Sequence, residues 1–249
     1  MKPFIRRLIP AQLVKFKQRL QLTVLRRRFG RMPIQQVFSE IYETRLWGVD
    51  EAERFCSGSG SRGHIAKEYA TFVRSFIKEH HIQSVADLGC GDFVIGSQIA
   101  EVVDTYIGVD VVPELIEYLK IKYRLRGAEF RCANIVEDEL PSAQLCLVRQ
   151  VFQHLSNQQI VKVAAKLTKY QYVLVTEHYP APYRAVAPNR DKPHGPDTRL
   201  LDDSAVHLDE PPFGLAVQEV LSVRAAPCQI AEGETIRTFL ILQGQGQLR

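Results

Sequence analysis

The chain of 249 residues is long enough to bury one sizeable core and to carry an additional arm or lid. Its 45% hydrophobic and 24% charged residues are ordinary for a globular protein, and no apolar run of about 18 residues predicts a transmembrane helix. Five cysteines without a Cys-x-x-Cys spacing argue against a disulfide framework and against a zinc site. They favour a reducing compartment, and we therefore expect a cytoplasmic protein.

Residues 1–32 are predicted to form a basic amphipathic arm. The first 31 residues contain ten Lys or Arg and no acid, whereas the rest of the chain contains 22 basic and 28 acidic residues. Leu13, Phe16, Leu20 and Val24 fall near one face of a helix, with lysine and arginine on another. Such a helix can lie on the anionic surface of the inner membrane, bind nucleic acid, or dock on its own domain. The sequence leaves these three alternatives open.

Residues 33–63 connect this arm to the rest of the chain and include the single tryptophan, Trp47. A glycine- and serine-rich run at 57–63 ends the segment. Such a run is usually a flexible linker, but its position directly before the α/β domain predicted below also suits a lid over a ligand. In that interpretation Arg62 lies near a carboxylate of the ligand.

Residues 64–249 alternate apolar runs with helical patterns and are predicted to form one domain. Helices are predicted over 65–77, after the first strand, at Pro113, and after a capping box that begins at Ser156. Strands are predicted at residues 85–88, 105–110, 128–132, 143–149, 172–176, 217–223 and 235–242. This alternation, closed by a hairpin, predicts an α/β fold with a mostly parallel seven-stranded sheet and an antiparallel edge strand. Residues 179–213 are rich in proline and lack periodicity, which is typical of a binding loop.

The first predicted strand runs into Asp87-Leu88-Gly89-Cys90-Gly91, and the second ends at Asp110. Gly89 and Gly91 lack the Cβ atom that would keep a ligand away from the backbone. Asp110 lies about one βαβ spacing further on, where an acid can bind both hydroxyls of a ribose. A dinucleotide site is disfavoured, because its third glycine is missing and Asp92 at the helix start would repel a diphosphate.

The glycine turn resembles motif I of the class I S-adenosylmethionine-dependent methyltransferases, Asp-x-Gly-x-Gly. The resemblance implies a Rossmann-like fold and S-adenosylmethionine as cofactor, whose sulfonium and amino acid suit the nearby acids. Ligands of such sheets bind at the carboxyl ends of the strands. The expected cofactor-binding residues are Asp87, Gly89, Cys90, Gly91, Asp110, Val111, Asn134, Ile135 and Gln150. Asn134 stands where the family commonly has an Asp that accepts from the adenine amino group, and Phe93 stands where many relatives have a third glycine.

Methyl transfer is a direct displacement at the sulfonium methyl group, so the protein must align the nucleophile and take a proton from a hydroxyl acceptor. A neutral imidazole is a suitable base near pH 7. The candidate catalytic residues are His178, His154 and Arg149, with His178 favoured as the base and a structural role as the alternative for either histidine. The candidate substrate-binding residues are Tyr179, Tyr183 and Arg199. No metal site is predicted, because the adjacent acids Asp202 and Asp203 are typical of a solvated loop.

Further segments resemble bacterial methyltransferases that are associated with surface-polysaccharide and glycan gene clusters. They are Trp47-Gly48, residues 57–61, 87–93, 109–116, His154-Leu155-Ser156, 196–200 and 206–213. This resemblance implies O-methylation of a saccharide or glycan precursor. Two alternatives remain open. One is methylation of another small metabolite or of nucleic acid; the acidic body disfavours extended contact with nucleic acid, because phosphate binding needs a basic face. The other is a scaffold that keeps the cofactor fold without catalysis.

Overall fold

A computed structural model describes residues 20, 22–51, 53–184, 186–224 and 233–242. Most of the predicted basic arm, residues 1–19, lies outside the described residues, so its predicted contacts stay predictions. Within the described part of the chain, every helix is too short or too polar to cross a membrane.

The described residues form one seven-stranded sheet in the order β3-β2-β1-β4-β5-β7-β6. The strands are β1 (Ser84–Leu88), β2 (Thr105–Asp110), β3 (Ala128–Cys132), β4 (Leu145–Arg149), β5 (Tyr172–Tyr179), β6 (Val217–Arg224) and β7 (Thr235–Ile241). Strands β1 to β5 pair in parallel, and β7 runs antiparallel to both β5 and β6. This confirms the predicted α/β fold of the Rossmann-like class. The antiparallel strand β7 lies one position inside the edge, which β6 occupies.

Helices cover both faces of this sheet. They are α1 (residues 22–29), α2 (Ile34–Glu43), α3 (Gly63–Glu79), α4 (Val94–Ala100), α5 (Pro113–Lys122) and α6 (Asn157–Lys166). Successive strand residues point to opposite faces, so Val85 and Leu147 join a core with α3, α4 and α5. Ala86 and Val148 join a second core with α6. Both faces are therefore buried, as a parallel sheet requires.

Two predicted helix starts are confirmed. Helix α5 begins at Pro113, whose missing N–H costs nothing in a first turn. Helix α6 begins after a capping box, in which Ser156 Oγ accepts from the Gln159 amide at 3.3 Å and Gln159 Oε1 accepts from the Ser156 amide at 2.9 Å. This cap fixes the end of the segment between β4 and α6. That segment lines the site described below.

Strand β5 is longer than the predicted range 172–176. Its pairing with β7 continues to Tyr179, which lies opposite Thr235. Glu177 and His178 therefore belong to a strand, and their side chains point to opposite faces. This alternation decides which of the two can reach the segment after β4.

Helix α1 docks on its own domain. Leu22 and Phe29 are buried on its inner face. Arg26 forms ion pairs with Asp197 and with Asp202. The described end of the arm thus fits the docking alternative, while the boundaries at residues 32 and 63 remain predictions.

Candidate active site

A cleft lies at the carboxyl ends of β1, β2 and β4, beneath α2 and the loop at residues 57–63. Its empty volume is about 1120 Å³, which includes space open to solvent. Every predicted cofactor-binding residue lines it: Asp87, Gly89, Cys90, Gly91, Asp110, Val111, Asn134, Ile135 and Gln150. The strand ends converge on this cleft because parallel strands finish at one edge of the sheet.

The turn after β1 requires glycine at two positions. Gly89 and Gly91 have φ angles of 81° and 55°, in the left-handed region that favours glycine. A Cβ atom on Gly89 would lie 2.4 Å from Val151 Cγ2, and one on Gly91 would lie 2.4 Å from Ser57 Oγ. The turn is therefore specified both by its backbone conformation and by the close approach of its neighbours.

Phe93 departs from the family pattern and yet preserves the turn. It adopts the left-handed conformation, with φ of 64°, that a third glycine would take more easily. Its ring is completely buried and packs edge-on against Tyr106, Tyr123 and Phe130, with centroids 4.7 to 5.3 Å apart. This packing offsets the backbone strain. The ring also fills the space beside Gly96, where a Cβ would lie 2.4 Å from it.

Two buried carboxylates flank the glycine turn. Asp110 accepts from the amides of Gly91 and Val112, each at 3.1 Å, and Asp87 accepts from the Tyr106 hydroxyl. Burial raises the pKa of both carboxyl groups to about 6, although these hydrogen bonds act in the opposite direction. A cationic or hydrogen-bond-donating ligand would therefore stabilise the ionised form of each carboxylate.

Arg149 brings a buried positive charge to the same cleft. Its guanidinium donates to the Gly60 carbonyl at 2.6 Å and lies 5.0 Å from the centre of the Tyr69 ring. Nε of Arg149 has no hydrogen-bond partner among the described residues. Burial lowers the pKa of this guanidinium, whereas the negative charge of Asp87 raises it. Asp87 and Arg149 thus present opposite charges to one end of the cleft.

The loop at residues 57–63 is fastened over the glycine turn. The Ser57 amide donates to Asp92 Oδ2 at 2.8 Å, and Ser57 Oγ accepts from the Asp92 amide at 2.8 Å. Arg62 pairs with Asp92 at 2.9 Å and with Asp50 at 3.1 Å. The loop thus occupies the position predicted for a lid, with the Arg62 guanidinium held by two protein carboxylates.

A second wall of the cleft is built from the segment after β4 and from Trp47. His154 Nδ1 lies 3.2 Å from the Gly195 carbonyl oxygen, so Nδ1 carries the proton and Nε2 is an acceptor. The Gln153 amide nitrogen lies 3.3 Å from His154 Nε2 and 3.4 Å from the Gln150 carbonyl. These two acceptors orient the Gln153 side chain, whose Oε1 is buried without a partner among the described residues. The Trp47 ring lies 5.1 Å from the His154 ring.

His154 is neutral over the physiological range. Burial lowers its pKa to about 4, and the positive charge of Lys192 acts in the same direction. Lys192 itself is fully buried, 3.5 Å from Asp197, and burial lowers its pKa to about 8. At pH 7 the imidazole therefore has an unprotonated Nε2, which accepts from the Gln153 amide.

Glu177 supports this wall from behind. Its Oε1 accepts from the Phe152 amide at 2.8 Å and its Oε2 from the Gln153 amide at 3.2 Å. Burial raises the pKa of Glu177 to about 8, against the lowering effect of these amides and of Arg199. The carboxyl group caps the short 3₁₀ turn Phe152–His154 and so fixes Gln153 and His154.

Four predicted site residues lie outside the cavity lining. His178 points to the other face of β5, where Nε2 lies 3.0 Å from Glu234. Tyr179 is buried and donates to the Val206 carbonyl, whereas Tyr183 is 79% exposed. Arg199 is buried and donates to the Leu155 carbonyl at 2.7 Å and to that of Arg190. His178, Tyr179 and Arg199 are therefore held in contacts away from the cleft lining, and Tyr183 is largely exposed.

Several residues of the site were not among the predicted ones, and three of them shape its second wall. Trp47 and Gln153 line the cavity, and Glu177 holds its wall. The sequence signal for Gln153 is weak, since it is one polar residue in a short turn after β4. Within the described residues, no group of three His, Cys, Asp or Glu side chains could hold a metal ion.

Comparison with known proteins gives the class of this fold and site. Residues 86–176 match the family described as a methyltransferase domain. None of the curated proteins compared with the chain matches it. The N-methyltransferase NodS from Bradyrhizobium japonicum WM9, in complex with S-adenosyl-L-homocysteine, has a TM-score of 0.53 at 14% identity, over 80% of this chain and 97% of that one.

Two further solved structures share the fold. The 1,6-didemethyltoxoflavin-N1-methyltransferase from Burkholderia thailandensis has a TM-score of 0.52 at 13% identity, over 84% of this chain and 87% of that one. Magnesium protoporphyrin IX methyltransferase from Synechocystis PCC 6803 has a TM-score of 0.50 at 10% identity, over 84% of this chain and 100% of that one. At these identities the likeness establishes the fold.

The matched range runs from β1 to β5 and contains the glycine turn, Asp110 and the segment that carries His154. The fold and the family match indicate that the protein is a methyltransferase. The three structures that share the fold were solved with S-adenosylhomocysteine, which supports S-adenosylmethionine as the cofactor.

Replacing Glu177 by Leu tests the support of the second wall. Leucine has no acceptor, so the buried amides of Phe152 and Gln153 both lose their partner. We expect Glu177→Leu to lower the free energy of unfolding by about 1–3 kcal/mol, measured by urea unfolding at pH 7. Glu219→Leu, at an accessible position on the edge strand, is the matched control. Equal unfolding midpoints for Glu177→Leu and the parent would contradict the capping role.

The pH dependence of cofactor binding tests the two buried carboxylates. S-adenosylmethionine carries a cationic sulfur, so it binds best when Asp87 and Asp110 are ionised. Because their pKa values are about 6, we expect the Kd to rise as pH falls from 7.5 to 5.5, approaching about tenfold per pH unit below the pKa for one group.

Calorimetric titration over this pH range measures the effect. The variant Asp110→Asn should bind more weakly at pH 7.5 and show a shallower slope, because one titrating group is gone. A Kd of the parent that is constant from pH 7.5 to 5.5 would rule out ionised carboxylates as the determinants of binding.

Proposed function

We propose that this methyltransferase transfers the methyl group of S-adenosylmethionine to a hydroxyl of a saccharide or glycan precursor. The observation that carries the proposal is the second wall of the cleft. It combines an aromatic face, Trp47, with the amide oxygen of Gln153, which has no partner among the described residues, and with the neutral imidazole of His154. A pyranose ring presents C–H groups that pack on an indole face and hydroxyls that donate to such acceptors.

The first wall of the cleft suits the cofactor. Asp110 is proposed to accept from the ribose hydroxyls, and Asn134 with Ile135 to contact the adenine. The Asn134 Oδ1 atom already accepts from the Val136 amide at 3.0 Å and keeps a second lone pair for the adenine amino group. Asp87 and Arg149 are proposed to hold the ammonium and the carboxylate of the methionine part.

His154 is the proposed proton acceptor. S-adenosylmethionine supplies the methyl group and a neutral thioether leaving group. As the acceptor oxygen forms its bond to the methyl carbon, its proton becomes strongly acidic, so an imidazole with a pKa of about 4 suffices to take it at Nε2. His178, the base favoured by the sequence, would have to leave Glu234 to do so. His154 would likewise have to release the Gln153 amide from Nε2, but it lines the cleft and His178 does not, so its position favours His154.

A labelling assay with Gln153→Leu tests this function. Methyl-labelled S-adenosylmethionine is offered with nucleotide sugars, lipid-linked oligosaccharides, amines, catechols and RNA as separate acceptors. We expect label in a saccharide, and a fall in acceptor kcat/KM of roughly tenfold or more for Gln153→Leu, because the amide oxygen is removed. Affinity for S-adenosylhomocysteine should stay unchanged.

The matched control is Gln158→Leu, at an exposed glutamine on α6. Label in amines or RNA alone would overturn the saccharide proposal and leave the methyltransferase class intact. A parent protein that binds neither S-adenosylmethionine nor S-adenosylhomocysteine would instead favour the scaffold alternative.

We also propose peripheral contact of residues 1–31 with an anionic membrane. Exposed apolar and basic side chains at the described end of the arm support it: Leu20 and Val24 are 57% and 59% exposed, and Arg27 and Arg31 are exposed as well. In co-sedimentation with phosphatidylserine vesicles, Arg27→Glu with Arg31→Glu should weaken binding at least tenfold, because each arginine contributes about 1 kcal/mol near such a surface. The control pair Lys67→Glu with Lys78→Glu should change it far less. Equal effects of both pairs would indicate a general charge effect and end the proposal.

A further inference from the structure

Helix α1 is clamped to the segment that forms the back of the acceptor wall. Arg26 donates to Asp197 through Nε at 3.2 Å and through an NH2 group at 2.9 Å. The Met32 carbonyl lies 2.9 Å from His194 Nε2. The whole segment 192–197 is therefore tied to the arm at several points.

The same segment orients the two side chains that face the proposed acceptor. The Gly195 carbonyl accepts from His154 Nδ1 at 3.2 Å, which selects the imidazole tautomer. The Pro196 carbonyl accepts from Trp47 Nε1 at 3.3 Å. Both carbonyls directly precede Asp197, so the position of the Asp197 backbone determines where these two acceptors stand.

Asp197 is held in place chiefly by Arg26. Its side chain is 3% exposed, and it lies between the guanidinium of Arg26 and the fully buried ammonium of Lys192, which is 3.5 Å from Oδ1. Arg26 spans Asp197 and Asp202 with its planar fork, a geometry that an ammonium cannot reproduce. Without Arg26, one buried lysine would be the remaining cation beside Asp197 among the contacts described.

We propose that Arg26 is a positioning residue for the acceptor side of the site, acting through Asp197 on His154 and Trp47. The basic arm is then part of the catalytic unit, and the cofactor side, built from β1, β2 and β4, is independent of it. The importance of the two oriented side chains for turnover rests on the proposed function. The positioning itself does not.

The variant Arg26→Met tests the inference in the full chain, with Arg28→Met as the matched control. Arg28 lies on the same helix, but it pairs with Glu40 and not with the segment 192–197. Trp47 is the single tryptophan, so its fluorescence reports on this wall alone. We expect the Trp47 emission maximum to shift in Arg26→Met and to stay at the parent value in Arg28→Met.

Calorimetry with S-adenosylhomocysteine should give the same Kd, within about twofold, for the parent and both variants. Once an acceptor is found, kcat/KM for it should fall roughly tenfold or more in Arg26→Met, because small misplacements of aligned groups are costly. Arg26→Lys, which keeps the charge without the fork, should give an intermediate Trp47 shift and serves in place of Arg26→Met should that variant fail to fold.

An unchanged Trp47 emission in both Arg26 variants would overturn the inference. Loss of S-adenosylhomocysteine affinity in parallel with the emission shift would also overturn it, because Arg26 would then support the whole fold and not one side of the site. Fluorescence and cofactor binding need no acceptor. A failure of the saccharide proposal would therefore appear only in the labelling assay.

Discussion

The burial of two carboxylates at the ends of β1 and β2 is the constraint on which the site depends. Asp87 and Asp110 are each 8% exposed, and a buried carboxylate is costly unless donors surround it. Asp110 obtains them from the backbone of the glycine turn, which must take left-handed conformations to present the Gly91 amide. Arg149 balances the charge and in turn fastens the loop above through Gly60. Turn, loop and second strand are therefore parts of one electrostatic arrangement.

The sequence predicted this half of the site because its signals are local. Strand periodicity, glycine spacing and the interval to Asp110 all lie within 27 residues, from Ser84 to Asp110. Because parallel strands end at one edge of the sheet, Asn134 and Gln150 were also predicted to line the site, although they lie far along the chain. All nine predicted cofactor residues line the cleft for that reason. The order of the last two strands was not predicted, since a hairpin can add to a sheet by either of its strands.

The second wall could not be predicted in the same way, because its contacts join distant segments. Trp47 and Pro196 are separated by 149 residues, and no pattern in either segment indicates the other. For Glu177 and His178, the difficulty was the predicted end of a strand. The end of β5 was predicted at Thr176, and the extra pairs with β7 decide that Glu177 faces the segment after β4 while His178 faces away. Arg199 looked like a ligand-binding cation, but it satisfies backbone carbonyls in the interior.

The packing of Phe93 has a consequence for how this sequence can diverge. Its ring occupies the space into which any side chain at position 96 would grow. A glycine at 93 would relax the backbone but would leave the Tyr106 hydroxyl, which lies 2.6 Å from a Cβ atom at 96. A larger residue at 96 therefore needs both aromatic side chains to move. Position 96 stays restricted to glycine for as long as either of them keeps its place.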